Sequence, residues 1–325
     1  MKLLVTGGAG YVGACVARML LDAGHEVVVV DDLSRNDDTQ VPKDATFIQA
    51  RVQDIATVLT PAAAFDGVLH FAGLIAAGES MAHPDWHWEN NTRASLALLD
   101  AMVAAGTPRL IFSSTAATYG EPERLPLTEQ SPTNPVNTYG DTKLAVDRAI
   151  TSYTRAGDTL GAASLRYFNV AGALINADGT MIGERHEPET HIIPLTLEVA
   201  AGTREKMLLF GDDYDTPDGT CVRDYIHIAD LARAHLLALD AISPGTHRIY
   251  NLGNGIGFSN RQVVEAVREV TGHPVPVEIA PRRPGDPAAL TTSSARAQAD
   301  LGWIPRHPEL RDIVADAWAF HRSRG

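Results

Sequence analysis

Residues 2–13 read Lys2-Leu3-Leu4-Val5-Thr6-Gly7-Gly8-Ala9-Gly10-Tyr11-Val12-Gly13, and this stretch decides the fold. Lys2–Thr6 is a short apolar run, the pattern of a strand buried on both faces. It breaks at Gly7-Gly8. A helical periodicity then runs over Tyr11–Asp22 and stops at Ala23-Gly24, a carboxyl-terminal glycine signal. The glycines at 7, 8, 10 and 13 satisfy both G-x-x-G-x-x-G and G-x-G-x-x-G. Between a strand and a helix, such glycines permit a tight turn. They also let a pyrophosphate approach the backbone at a helix amino terminus. Tyr11 and Val12 lie within the turn and join Gly7, Gly10 and Gly13 as candidate dinucleotide contacts.

Working outward, His25–Val30 is a second continuous apolar strand ending in Asp31-Asp32. A carboxylate there accepts from adenosine ribose hydroxyls and repels a 2′-phosphate, which favours NAD over NADP. Strands are expected at Thr46–Gln49, Gly67–Phe71, Arg109–Ser113 and Ala162–Tyr167, with helices at Trp86–Ala105 and Val136–Arg155. Alternation of this kind predicts an α/β fold, a Rossmann-type doubly wound parallel sheet covered on both faces. The small residues of Phe71-Ala72-Gly73 end one strand where backbone can approach a cofactor. After Asn169 the texture changes. Residues 173–192 read as a long polar loop, followed by helices at Pro194–Ala201, Ala229–Ala241 and Asn260–Thr271 and a late strand at Arg248–Leu252. The expected division is an NAD-binding domain of residues 1–170 plus about 224–255. A smaller carboxyl-terminal α/β substrate domain takes residues 171–223 plus about 256–325.

Composition narrows the function. The 325 residues carry 27 Lys and Arg against 40 Asp and Glu, a net charge of −13. An acidic field of this size repels nucleic acid and anionic membranes. No stretch reaches the roughly 18 apolar residues of a membrane span. The start runs straight into a strand, without the apolar core and cleavage site of a signal peptide. The two cysteines, Cys15 and Cys221, read as reduced, packed thiols, so a cytoplasmic enzyme is expected.

The candidate chemistry is Tyr139-Gly-Asp-Thr-Lys143. Residues four apart share a helix face, and an ammonium beside a phenol is expected to lower its pKa from about 10. Ser113-Ser114-Thr115 ends a central strand, and a hydroxyl there can bond a substrate oxygen that gains charge. His83 and His87 have metal-ligand spacing, but His83 precedes Pro84 and no third ligand is evident, so no metal is expected.

Together these segments resemble the extended short-chain dehydrogenase/reductase family and, within it, the UDP-glucose (UDP-galactose) 4-epimerases. The resemblance runs nearly end to end, through VTGGAGYVG, HFAGLIAAGES, ENNTRASL, FSSTAATYGEP, NTYGDTKLAVD, SLRYFNVAGA, VRDYIHIADLARAH and PRRPGDPAAL. It implies Tyr139, Lys143 and Thr115 as the catalytic set. It implies Asn90, Ser113 and Tyr167 beside the NAD. Asn169, Arg223 and Arg283 would meet the sugar-nucleotide diphosphate, Phe210 and Asp286 the uridine. It also implies a UDP-sugar substrate, C4 inversion through a 4-keto sugar, and a homodimer built on the helices around 86–105 and 136–155.

Dehydratases of this family place an Asp-Glu pair after the Thr. Here Ala116-Ala117 stand there, so elimination lacks its acid and base. Epimerases of UDP-N-acetylhexosamines, UDP-uronates or pentoses, decarboxylases and 4-ketoreductases stay open as alternatives, and so does a catalytically inert dinucleotide sensor. Three positions depart from the family pattern. Arg51 stands where many relatives have an adenine-binding Asp, and Ile75 where some carry a lysine. Leu290 falls where a large aromatic excludes N-acetylated sugars, so partial use of UDP-N-acetyl sugars is expected.

Overall fold

The computed structural model describes residues 1–283 and 286–324, so Pro284 and Gly285 of the PRRPGDPAAL segment lie outside the described residues. The main sheet contains β1 (Lys2–Thr6), β2 (Glu26–Asp31), β3 (Thr46–Gln49), β4 (Gly67–His70), β5 (Arg109–Thr115), β6 (Gly161–Tyr167) and the late strand His247–Leu252. They lie in the order His247–Leu252, β6, β5, β4, β1, β2, β3, and every neighbouring pair is parallel. This is the expected doubly wound Rossmann-type α/β sheet.

Period-two alternation sends β1 side chains to opposite faces. Leu3 and Val5 join a core with the helix α1 (Tyr11–Asp22) and the Ile228–Ala241 helix. Leu4 joins a second core with the Ala94–Ala105 and Thr138–Ala156 helices. Both faces are buried, which is why these strands read as unbroken apolar runs rather than alternating ones.

A third core, with Ile193, Leu209, Val263 and Ile313, holds the smaller layer. Its central strand, Val222–His227, pairs with Asn169–Ala171, Gly257–Ser259 and Ala289–Leu290. The helices Ile192–Ala200, Asn260–Thr271 and Leu310–Ser323 pack around it. Among the described residues, no helix is long and apolar enough to cross a membrane.

Three local expectations shift. The helix expected at Trp86–Ala105 begins at Pro84 and contains a π-turn over Trp88–Arg93 before Ala94–Ala105. The helix expected at Val136–Arg155 spans Thr138–Ala156, because the Asn137 side chain caps it by accepting from the Gly140 N–H at 2.9 Å. The expected loop at 173–192 contains a hairpin of Ala173–Ile175 against Met181–Gly183, strands too short to leave a period in the sequence.

Strand order reverses at β1, with β2 on one side and β4 on the other, which is where open α/β sheets bind ligands. The backbone is closely packed there. A Cβ on Gly7 (φ +72°) would sit 2.4 Å from the Ala72 nitrogen, and one on Gly13 2.2 Å from the Gly7 carbonyl oxygen. Gly7→Ala should therefore cost at least about 2 kcal/mol from clash and left-handed strain together. Gly24→Ala, at φ +83° with nothing within 4 Å, should cost about 1 kcal/mol. Urea unfolding of the two variants checks this, and equal losses would contradict it.

Candidate active site

The turn after β1 is built to receive an anion. Helix α1 starts at Gly10 without a side-chain cap, which leaves first-turn N–H groups pointing outward. Gly7 N–H donates to the Val30 carbonyl at 2.8 Å, tying the turn to β2. Asp31 accepts from Ala9 N–H (3.1 Å) and Leu33 N–H (2.9 Å). Burial raises its pKa against these two bonds. One carboxylate thus braces the glycine turn and keeps lone pairs for a ribose. Asp32 holds Ser34 N–H at 2.9 Å. Tyr11 is buried and donates to the Gly172 carbonyl at 2.7 Å, whereas Val12 is half-buried. The close backbone, the uncapped helix and the acidic strand end fit a dinucleotide such as NAD.

Across the switch point, Phe71 and Ala72 N–H groups both donate to the Thr6 carbonyl. Gly73 is exposed, and a Cβ there would lie 2.9 Å from Asn91 Oδ1 and 3.5 Å from Lys143 Nζ. β5 delivers Ser113 and Thr115, and the Thr138–Ala156 helix delivers Tyr139 and Lys143. Lys143 is buried. Its Nζ donates to the Ser113 carbonyl at 3.0 Å and lies 4.9 Å from the centre of the Phe112 ring. Burial lowers its pKa to about 8, with Asp147 opposing.

The phenol of Tyr139 behaves otherwise than expected. Its pKa is raised, not lowered: burial dominates, and only the Thr115 hydroxyl pulls the other way. In the protein alone the Lys143 ammonium is committed to Ser113, and desolvation wins at the phenol. Tyr167 is close enough for its ionisation to be opposed by charge on Tyr139, and it donates to His235 Nε2 at 2.7 Å.

The structure separates the two asparagines of ENNTRASL. Asn90 is half-buried and donates to the Trp86 carbonyl at 2.9 Å. Asn91 is buried, accepts from Leu74 N–H (2.7 Å) and donates to the Leu74 carbonyl (3.0 Å) and Thr142 (3.1 Å). Asn91 therefore fixes the turn after β4 against the Tyr139 helix. The sequence reading missed it because the π-turn rotates the helix face by an amount that no 3.6-residue period encodes. Its backbone carbonyl accepts from Ser95, which bonds His70, which bonds Thr6. Ser95 is the donor to Asn91, so His70 Nε2 carries the proton and Nδ1 accepts from Thr6. Burial, with Lys143 nearby, pushes His70 down to about 3 and keeps it neutral. His87, buried, meets Tyr139 edge-on at 6.4 Å between ring centres.

The expected nucleotide end lines the smaller layer. Asn169 is paired in register with Tyr225, and Leu290 with Arg223. Arg223 forms an ion pair with Asp286. Arg283 is exposed and stacks 3.9 Å above the Phe210 ring. Arg51 and Ile75 are both exposed. His83 stacks on Trp86 at 4.1 Å, and the only metal-type group among the described residues gathers elsewhere, at Glu184, His186, Glu189 and His191.

A glycine cradle at the switch point, with half-buried Tyr139 and buried Lys143 on the Thr138–Ala156 helix, defines a dinucleotide-dependent enzyme acting on a hydroxyl or carbonyl carbon. The profile described as "NAD dependent epimerase/dehydratase family" matches residues 3–253, and the chain belongs to that family. It is similar to the UDP-glucose 4-epimerase of Corynebacterium glutamicum, at 56% identity over 100% of this chain and 97% of that protein. It is also similar to the UDP-glucose 4-epimerase of Streptomyces lividans, at 53% over 99% and 96%. A crystal structure of UDP-glucose-4-epimerase from Stenotrophomonas maltophila, with bound NAD and formylated UDP-arabinopyranose, superposes with a TM-score of 0.94 at 39% identity, covering 100% of this chain and 98% of that one.

Removing Asn91 leaves the half-buried Leu74 N–H and carbonyl without their partner. Asn91→Ala should cost about 2–4 kcal/mol, from roughly 1–3 kcal/mol per buried group left unpaired. Asn90→Ala should stay within about 0.5 kcal/mol. Thermal unfolding of both variants decides between them.

Proposed function

We propose that this chain interconverts UDP-galactose and UDP-glucose by NAD-dependent epimerisation at C4, with Tyr139 as acid–base and Thr115 and Lys143 as its partners. One observation carries the choice of chemistry. Thr115 ends β5 beside Tyr139, but the next two side chains are Ala116 and Ala117, and Ala117 contributes only its N–H, to Thr115 Oγ1 at 3.1 Å. A hydroxyl can be deprotonated and reprotonated here, but water elimination has no acid and base. The full-length similarity to enzymes named UDP-glucose 4-epimerase supports the same reading.

Gly7, Gly10, Tyr11, Val12, Gly13, Asp31 and Asp32 would hold the adenosine diphosphate part of NAD, and Phe71, Ala72, Gly73, Ser113, Lys143 and Tyr167 would hold the rest. Asn90 serves the nicotinamide side, and Asn91 braces the turn after β4 next to it. NAD supplies the hydride acceptor and donor and, when oxidised, a positive charge. Tyr139 takes the proton of the C4 hydroxyl and later returns it. Thr115 holds the same oxygen as charge develops. Lys143, anchored on Ser113, keeps its positive end toward the phenolate. The sugar must turn over between the two transfers, so the protein grips the nucleotide and leaves the sugar loose. Arg223 and Arg283 take the diphosphate oxygens, Asn169 assists, Phe210 flanks the uracil and Asp286 accepts from the uridine ribose.

The chain divides into two lobes; within the expected return of about 224–255, the Ile228–Ala241 helix and the His247–Leu252 strand belong with the nucleotide-binding lobe, whereas the strand Val222–His227 pairs in the smaller sheet. The enzyme acts as a cytoplasmic homodimer. Met81, Trp86, Trp88 and Val103 support that interface, being large apolar side chains exposed around the helices of residues 77–105. Leu290 beside Arg223 is smaller than an aromatic and larger than glycine, so N-acetylated sugars enter with difficulty.

Proton NMR of UDP-galactose with the purified enzyme and no added NAD should show conversion to UDP-glucose, with slower turnover of UDP-GlcNAc. Tyr139→Phe should lower kcat by about 10²–10⁴. Unchanged turnover in that variant would remove Tyr139 from the chemistry, and no turnover of the uridine sugars by the wild type would overturn the substrate.

A further inference from the structure

From the convergence of Glu184, His186, Glu189 and His191 we propose a structural site for a zinc-class divalent cation, outside the catalytic cleft's Tyr139–Lys143 pair. Each residue offers one ligand atom, and all four atoms lie within 4.8 Å of one another. His186 Nδ1 is 3.0 Å from Glu184 Oε1 and 4.0 Å from Glu189 Oε2. His191 Nδ1 contacts Glu184 Oε1 and lies 3.5 Å from Glu189 Oε1. Metal–ligand bonds of about 2.0–2.1 Å in a tetrahedral shell place ligands roughly 3.3 Å apart. The separations of 3.0, 3.5 and 4.0 Å bracket that spacing, so small side-chain movements would close the shell.

Two imidazoles and two carboxylates suit a borderline cation such as zinc better than the all-oxygen shells of calcium or magnesium. The Glu184 and Glu189 side chains are only 7% and 9% exposed, so water screens little of their charge. His186 Nδ1 is shut off from solvent and makes no hydrogen bond, although a carboxylate oxygen is 3.0 Å away. A buried ring nitrogen without a bond is costly, and a cation at the centre of the four would give it a partner.

The ligands are held by a rigid frame. Gly183 N–H donates to Gln40 Oε1 at 2.8 Å, and a Cβ on Gly183 would strike the Phe320 ring. Arg185 pairs with Asp37 at 2.8 Å. Glu189 Oε1 accepts from Thr190 N–H and His191 N–H, and His191 leads into the Ile192–Ala200 helix. A cation there pins the segment joining the Met181–Gly183 strand to that helix. Four protein ligands leave no open position, which is the pattern of a structural rather than a catalytic site.

The test strips the full chain with a strong chelator and titrates zinc, reading bound metal after gel filtration and the Tm. The expected result is about one zinc per chain and a raised Tm, both lost in Glu184→Gln and in His186→Ala. A control, His83→Ala, should bind zinc as the wild type does. Cobalt in place of zinc should give the visible bands of a four-coordinate centre, and X-ray absorption should count two imidazoles. That measurement needs only the wild type, should either variant fail to fold. Less than about a tenth of an equivalent bound, a Tm indifferent to zinc, retention of the metal by both variants, or a six-coordinate all-oxygen cobalt centre would each overturn the site.

Discussion

The site depends on how closely β1 and β4 approach at their carboxyl ends. Only a glycine fits at position 7, because Ala72 backbone occupies the place of a side chain. The same two strands are bonded through Thr6 and His70, and that chain continues through Ser95 to the Asn91 carbonyl. Since burial keeps His70 neutral, each link has one donor and one acceptor and cannot be reversed without breaking a neighbour. The glycine cradle, the turn after β4 and the Tyr139 helix are therefore positioned by one buried network rather than by separate loops.

That network explains an apparent paradox at the centre of the site. A base is wanted, yet Tyr139 is harder to ionise here than in water. Lys143 does not supply the missing stabilisation in the protein alone, because its ammonium is drawn to the Ser113 carbonyl and is itself made more acidic by burial. The protein alone thus holds a neutral, half-buried phenol. On the proposed mechanism, the positive charge of an oxidised cofactor would act on that phenol in a low-dielectric setting, where it counts for more.

Much of the fold was legible in the sequence. Continuous apolar strands such as Glu26–Asp31 can only belong to a sheet covered on both faces, and the Gly7–Gly13 turn has few other uses. The Tyr139–Lys143 spacing and the hydroxyl run that ends at Thr115 were visible in the sequence, and the structure sets the Thr115 hydroxyl beside the Tyr139 phenol. What stayed hidden was geometry without a period. Asn91 braces the turn after β4 from within a π-turn, which no 3.6-residue period marks. The ionisation of Tyr139 depends on a balance between burial and charge that spacing does not weigh. The Glu184–His191 cluster was hidden in a polar segment that reads as loop, since its ligands converge only after a hairpin and a helix start have folded.

The most direct test of this account is the ionisation of Tyr139 itself, followed as the phenolate absorbance of wild type minus Tyr139→Phe. It is measured on the cofactor-free chain and with NAD⁺ or NADH bound. The account predicts a pKa above about 10, the free-tyrosine value, without cofactor and with NADH, and a clear fall with NAD⁺. A phenol already ionising below that value in the cofactor-free chain, or one indifferent to NAD⁺, would contradict it.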